Sequence, residues 1–348
     1  MTGKYVIFSL ALLVNLWTSS QQSPFNSKIV NTDSTNNYQY IVSGHFHGSG
    51  TNHTGYPINS LLANIDQLNN GDYRFLVCLG DLFKDVSNDI PFYEQSFFSK
   101  LNIPLFNTVG NHDLTADIYQ QHYGQTDFQF TINQDRHLFF DTEANNGSFS
   151  DEQLTILNQT LEAATTNSIR QVFIYCHRTV WAKHYTEFEG LFEDNTQAVF
   201  GNNFSKTVFP IIQKIGEKVP VYWFSGSIGD APASFFYHRD EASNLTYIAS
   251  AIRGFKRDAW LKVMISETGI VSFETISLTG QKLKKLQDYN VDFWQSTSAK
   301  EPFNYRLIFY YTKLIVLHRA FWYGIITSFS LILLYIVLKR RRIQKKSQ

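Results

Sequence analysis

Short apolar runs, too brief for helices and each broken by glycine or serine, most constrain what this chain can become. YQYIVS (38–43), YRFLVCLG (73–80), IPLFNTVG (103–110), QVFIYC (171–176) and VPVYWFS (219–225) read as strands, the last two fully apolar. Helical patterns separate the first three. Pro57 opens one with Ile58, Leu61, Leu62, Ile65 and Leu68 on a single stripe, and a second covers 92–101. Strand–helix–strand–helix–strand implies parallel pairing with right-handed crossovers. A more antiparallel part follows, in FQFTI (128–132) and RHLFFDT (136–142). The next helix opens with Ser150 and Gln153 at capping-box spacing and carries Leu154, Leu157, Leu161 and Ala164 as its buried stripe. NLTYIASAI, AWLKVMIS and IVSFETIS read as late antiparallel strands. The expectation is one α/β domain over 38–280, without internal repeats.

Both ends carry membrane signals. Residues 1–20 join one lysine, an apolar stretch from Val6 to Trp17 and small residues at 18–20, the pattern of a cleaved export signal. An uncleaved anchor is the alternative, for which the stretch is short. Ala320 to Leu338 carries no charge and, at ~1.5 Å per residue, spans roughly 28 Å, about one hydrocarbon core. The basic tail at 339–348 (KRRRIQKK) is a stop-transfer cluster. Positive charge favours the cytoplasm, which predicts a single-pass type I protein with its domain on the periplasmic, luminal or extracellular side. Residues 281–319 read as a juxtamembrane segment, whose part from Tyr305 on is apolar with Lys313, His318 and Arg319 scattered through it, an interfacial stretch leading into the span. Thirty basic residues balance thirty acidic ones and no internal basic face stands out, so nucleic-acid binding is not expected. Cys78 and Cys176 sit inside apolar runs and read as core residues, although export leaves a disulfide open.

The residues just past each strand are the chemical clue. They are GHFHG, GDLFKD, GNHD, HRTVW and SGSIGD. Ligands of an open α/β sheet bind at the carboxyl ends of its strands. Five strand ends thus aim His45, His47, Asp81, Asn111, His112, Asp113, His177 and Asp230 at one region. Singly, each has an ordinary reading as a turn or surface residue. Together, imidazole, carboxylate and amide oxygen are the ligand types of a divalent metal site.

In this order, GHFHG, GDLF, GNHD, CH and SGSIG resemble the calcineurin-like metallophosphoesterase superfamily, over roughly 38–280. GNHD after a strand is the most specific element, and FFDT before the Gln153 helix is similar too. The resemblance implies a β-sandwich flanked by helices, with one or two divalent ions (Mn, Fe or Zn) at one edge. It also implies hydrolysis of a phosphomonoester, phosphodiester or pyrophosphate. A tethered site would suit a phosphorylated small molecule or a lipid headgroup. Carried over residue by residue, Asp81 would bridge both metals and His47 would serve the first, while Asn111 and His177 serve the second. His112 would contact the phosphate and aid the leaving group, with Asp113 orienting it.

Two departures stand out. His45 replaces the family's first aspartate, and Gly226-Ser227-Ile228-Gly229 replaces Gly-His-x-His. The first metal then keeps His45, His47 and Asp81, and the second Asp81, Asn111 and His177. Asp81 is left as the one assured anion. Asp230 would restore a charge or serve as a plain turn residue, with Asp85 and His238 weaker substitutes. Arg178 would stabilise a phosphoryl oxygen or sit in a surface salt bridge. Hence two function classes stand: a membrane-anchored metal-dependent phosphoesterase, or a degenerate member that binds a ligand or scaffolds without turnover.

Overall fold

The computed structural model describes residues 21–30, 37–115, 117–192, 202–228, 231–297, 312, 316 and 319–346. The chain divides into two units, 1–297 and 298–348. In the first, uniformly apolar strands are sandwiched between other layers, as their lack of alternation requires. β1 (Tyr38–Ser43), β2 (Leu76–Cys78) and β3 (Leu105–Asn107) pair in parallel, and the antiparallel strands β10 (Ala259–Ile265) and β11 (Val271–Ser277) extend the sheet beyond β1. The order is β11-β10-β1-β2-β3. A second sheet is built from β4 (Phe128–Ile132), β5 (Asp135–Phe140), β6 (Gln171–Cys176), β7 (Val221–Ser225), β8 (Phe235–Asp240) and β9 (Leu245–Ser250), in the order β4-β5-β6-β7-β9-β8.

Three apolar clusters make the core. Tyr40, Val42, Phe106, Phe139, Phe173 and Phe224 belong to the cluster whose members come from the strands of both sheets. Leu157, Ile212 and Trp223 belong to the cluster that joins the second sheet to α5 (Asp151–Thr165), α6 (Phe209–Gly216) and α7 (Val291–Thr297). Ile41, Leu61, Leu68 and Leu105 belong to the one that joins the first sheet to α1 (Asn59–Leu62), α2 (Ile65–Asn70), α3 (Val86–Ser96) and α4 (Ile118–Tyr123). This is a two-sheet sandwich with helices outside.

The sequence reading needs several local corrections. The helix expected after Pro57 is interrupted, because the Asn64 amide donates to Ser60 O at 2.8 Å and Leu278 O at 3.0 Å and leaves helical backbone geometry. α3 starts at Val86, six residues earlier than expected, since the Asp85 carboxylate accepts the Ser87 N–H as an N-cap. The Ser150–Gln153 capping box is present. NLTYIASAI forms β9, which pairs antiparallel with β8 but parallel with β7. Cys78 and Cys176 are both buried free thiols, and burial raises both pKa values, that of Cys176 to about 12.

In the second unit, α8 (Arg319–Lys346) contains a 21-residue stretch, Arg319–Lys339, of mean hydropathy 2.0, long and apolar enough to cross a membrane. The expected signal at 1–20 lies outside the described residues, as does nearly all of 298–318.

Candidate metal centre

β1 and β2 run parallel with Ser43 opposite Cys78, so their loops leave the sheet side by side. Those loops are laced together: the His45 N–H donates to Gly80 O at 2.9 Å and the His47 N–H to Asp81 O at 3.4 Å. His45 (φ 58°) and Asp81 (φ 55°) both adopt left-handed backbone. That conformation is least unfavourable for His, Asp and Asn among residues with a Cβ. The loop after β3 then crosses the Asp81 carboxylate so closely that a Cβ on Gly110 would sit 2.3 Å from Asp81 Oδ1. Only glycine fits there, and the His112 N–H beside it donates to the same oxygen at 3.1 Å. From the second sheet, β6 delivers His177.

Asp81 stands at the centre of four imidazoles. Its Oδ2 lies 3.3 Å from His45 Nδ1 and 3.6 Å from His47 Nε2, and its Oδ1 lies 3.6 Å from His177 Nε2. These contacts are longer than hydrogen bonds. They match the separation of two ligands on one cation, about 3.4 Å for bonds of about 2.1 Å at tetrahedral angles. Two groups of three satisfy the spacing, His45–Asp81–His177 and His47–Asp81–His112. Buried His45 Nε2, both ring nitrogens of His47, and His177 Nε2 have no hydrogen-bond partner. Buried polar atoms are rarely left so, and two of these, His47 Nε2 and His177 Nε2, face the Asp81 carboxylate at ligand spacing, which marks an ion site. His177 Nδ1 donates to Leu79 O at 2.8 Å, which leaves Nε2 with its lone pair toward Asp81. His45 Nδ1 faces both Asp81 Oδ2 at 3.3 Å and the Arg253 guanidinium at 3.4 Å. It cannot donate to one while accepting from the other. The residues therefore fit a divalent metal.

Electrostatics favours the same state. Burial by itself raises the Asp81 pKa, but the imidazoles of His177, His45 and His47 outweigh it and hold Asp81 well below the usual range. Burial drives His45 well below its ordinary value and His112 down to about 4, in each case against the pull of Asp81. His177 moves the other way, because Asp81 and Glu143 override the effect of its burial. At neutral pH, Asp81 is thus an anion with His45 and His112 held neutral beside it, the protonation state a cation needs.

By spacing, His45 and His177 gather on Asp81 as one candidate group and His47 and His112 as another, while His45 and His47 both approach Asp81 Oδ2, as the expected first set has them. Asn111 is half-buried on the turn between Gly110 and His112. Asp113 does not orient His112: its carboxylate accepts from the N–H groups of Phe83 and Gly110 at 2.9 Å and from Asn107, and so shapes two loops. Burial, with Asp81 nearby, pushes Asp113 up to about 7. Arg178 faces neither substrate space nor solvent. Its guanidinium is buried, gripping Glu143 at 2.8 and 2.6 Å and Asn146 at 2.7 Å. Asp85 is a helix cap, and His238 rests between Tyr185 and Phe188. Asp230 lies outside the described residues.

The altered SGSIG loop keeps a structural job. The N–H groups of Gly226 and Ser227 donate to His177 O at 2.9 and 2.8 Å. A Cβ on Gly226 would meet Leu79 O at 1.9 Å, the carbonyl that fixes the His177 ring. Sequence reasoning missed two cations at the site. Lys84 Nζ lies 3.5 Å from both ring nitrogens of His112, and Arg253 reaches His45 from the loop after β9. Lys84 stood in plain view within GDLFKD, but nothing in the sequence placed Arg253.

No protein-family model matches the chain, and neither does any curated protein. Among solved structures, a purple acid phosphatase from yellow lupin (Lupinus luteus) seeds aligns at 10% identity and a TM-score of 0.50, over 76% of this chain and 54% of that one. This chain therefore spans about half the length of that relative. A dimetal phosphatase from Danio rerio aligns at 13% identity and a TM-score of 0.45, over 69% of this chain and 99% of its own. Both neighbours are calcineurin-like metallophosphoesterases. The lupin likeness shows a shared fold, a mixed α/β architecture of two sheets, and nothing of the activity.

Proposed function

We propose that this protein is a metal-dependent phosphoesterase, held to a membrane by α8 with its domain on the extracytoplasmic side. The single observation that carries the reading is the unpaired state of buried imidazole nitrogens around Asp81, at ligand spacing and past the ends of parallel strands. His45, Asp81 and His177 would hold one divalent ion, and His47, Asp81 and His112 make a second candidate group, with Asn111 adjacent. A bound ion would supply Lewis-acid polarisation of a phosphoryl oxygen and a more acidic water.

The chain's own groups then divide the work. Asp81 supplies the negative charge that draws cations in. His177, locked by Leu79 O, presents one nitrogen in a fixed direction. With Asn111 in its place as ligand, His112, which burial holds neutral with its pKa at about 4, would take a proton from the attacking water and give it to the departing oxygen. The lupin purple acid phosphatase shares the fold in which this chemistry is proposed to run.

One observation favours a second reading, binding without turnover: Asp81 is the only carboxylate in either group of three. The test is direct. Purified full-length protein in detergent is analysed for bound metal, then assayed on nitrophenyl phosphomonoesters and diesters with Mn²⁺, Zn²⁺ or Fe²⁺. Metal uptake with turnover that Asp81→Asn and His112→Ala abolish is the expected result. Uptake without turnover selects the binding reading. No uptake and no turnover with any ion ends both.

A further inference from the structure

Of the four imidazoles around Asp81, His177 alone comes from the second sheet, and the backbone that bears it is gripped by an unusual set of side chains. β6 and β7 pair in parallel with Cys176 opposite Ser225, so the two strands end side by side just before His177. Cys176 Sγ accepts the indole N–H of Trp223 at 3.1 Å and donates its S–H to Arg178 O at 3.1 Å. Ser225 Oγ accepts the indole N–H of Trp181 at 3.1 Å and donates its O–H to the same carbonyl at 3.1 Å. The arrangement is reciprocal: Trp223 of β7 serves the thiol of β6, and Trp181 of the loop after β6 serves the hydroxyl of β7.

All four side chains are buried, where an indole N–H needs a partner. Each indole occupies the acceptor side of its small neighbour, so the thiol and hydroxyl protons turn toward Arg178 O. The adjoining peptide is held as well. His177 O accepts the N–H groups of Gly226 and Ser227 at 2.9 and 2.8 Å, and the Arg178 N–H donates to Thr142 Oγ1 at 3.1 Å. Two successive carbonyls, those of His177 and Arg178, thus receive two hydrogen bonds each. The ring they carry has little room to turn, since a Cβ on Gly80 would collide with His177 Nδ1, which is tied to Leu79 O. Strand pairing does not require these side chains, because the ladder already runs through Cys176 and Ser225.

We infer that Cys176 and Ser225 are positioning residues for His177, a clasp that aims its Nε2 at the ion held with His45 and Asp81. The inference rests on the metal centre of the proposed function and concerns the ion, so it is tested without hydrolysis. Partners that orient a ligating imidazole typically contribute about 10–100-fold in metal affinity.

The experiment loads full-length protein in detergent with Co²⁺, whose visible absorption reports the arrangement of its ligands, and measures Zn²⁺ affinity by competition with a chelating dye. Cys176→Ala and Ser225→Ala should each weaken Zn²⁺ binding roughly tenfold or more and alter the Co²⁺ spectrum. Cys176→Ser and Ser225→Cys keep a group that both accepts and donates, and should restore the spectrum and bring affinity back to within about threefold of the wild type. Trp181→Phe withdraws the indole from Ser225, should fall between, and serves if an alanine variant does not fold. Ile212→Val, in the same apolar cluster, loses packing alone, so it should lower the melting midpoint and leave affinity and spectrum unchanged. Alanine variants with wild-type affinity and spectrum overturn the clasp, as does a loss that Ile212→Val reproduces. A wild type that takes up no ion overturns it together with the metal centre. Failure of the phosphoesterase reading looks different: affinity and spectrum still follow Cys176 and Ser225, but no ester is hydrolysed.

Discussion

Arg178 offers the sharpest test, because a phosphate-binding residue and a buried scaffold fail in opposite ways. The side chains of Arg178 and Glu143 are only 7% and 2% exposed, and two charge-assisted hydrogen bonds of 2.8 and 2.6 Å join them, with a third to Asn146 at 2.7 Å. Arg178→Ala leaves the Glu143 carboxylate buried without its partner, which costs about 3–5 kcal/mol. Total stabilities run to about 5–15 kcal/mol, so a fifth or more is lost. At roughly 2–4 °C per kcal/mol for a domain this large, the melting midpoint should fall by about 6–20 °C. Arg178→Ala/Glu143→Ala should be less unstable than the two single losses added, because no charge is stranded in the double variant. Thermal and urea unfolding of the four proteins give the cycle. The KM for a nitrophenyl phosphomonoester, measured well below the variant's midpoint, gives the contrast. An unchanged midpoint with a KM raised tenfold would refute this account and return Arg178 to the substrate.

Three further outcomes follow from the geometry. Gly110→Ala drives a methyl into the Asp81 backbone and carboxylate, so it should abolish cation uptake and destabilise by about 1–3 kcal/mol, as read by elemental analysis and urea unfolding. His45→Asp adds a second anion at a left-handed position that aspartate tolerates, and should tighten divalent-cation binding at least about tenfold by competition with a chelating dye. His137 is buried between the sheets with its pKa lowered to about 3, against about 6.5 when unfolded. Its contribution is complete above pH 6.5 and lost as pH falls toward 3, about 4–5 kcal/mol in all. His137→Gln should therefore flatten the fall in urea midpoint between pH 6.5 and 4, and an unchanged slope counts against the assignment.

What could be read from the sequence, and what could not, divides along physical lines. Parallel strands buried on both faces need continuous apolar runs, so β1, β2, β3, β6 and β7 announced themselves, and with them the loops carrying His45, Asp81, His112 and His177. β8 stayed hidden because its second half, Tyr237 to Asp240, is half-exposed and reads as polar. The parallel sense of β9 was unreadable, since residue pattern reports burial and not direction. Ile58, Leu61, Leu62, Ile65 and Leu68 stay in helical phase across Asn64, so periodicity could not show the break. The grip of Arg178 on Glu143 joins residues 35 positions apart, and that of Asp258 on residues 253–255 is a turn with no motif.

His45 and the SGSIG loop depart from the pattern the sequence resembles in different ways, and separating the two explains how the site keeps its shape with so little negative charge. The glycine of the altered loop still passes Leu79 O, and its backbone still holds His177, so the geometry of that ligand does not depend on the histidines that are gone. What changes is the electrostatic balance. A carboxylate-poor, imidazole-rich set selects borderline ions such as zinc or iron over magnesium or calcium, which bind chiefly to oxygen. Arg253 beside His45 and Lys84 beside His112 add two cations to that set. Product phosphate should then be held tightly, and its release, not bond cleavage, should limit turnover. A burst of nitrophenolate equal to the number of metal-loaded sites, followed by a slower steady rate that Arg253→Gln accelerates, is the kinetic signature; linear progress from the first turnover excludes it.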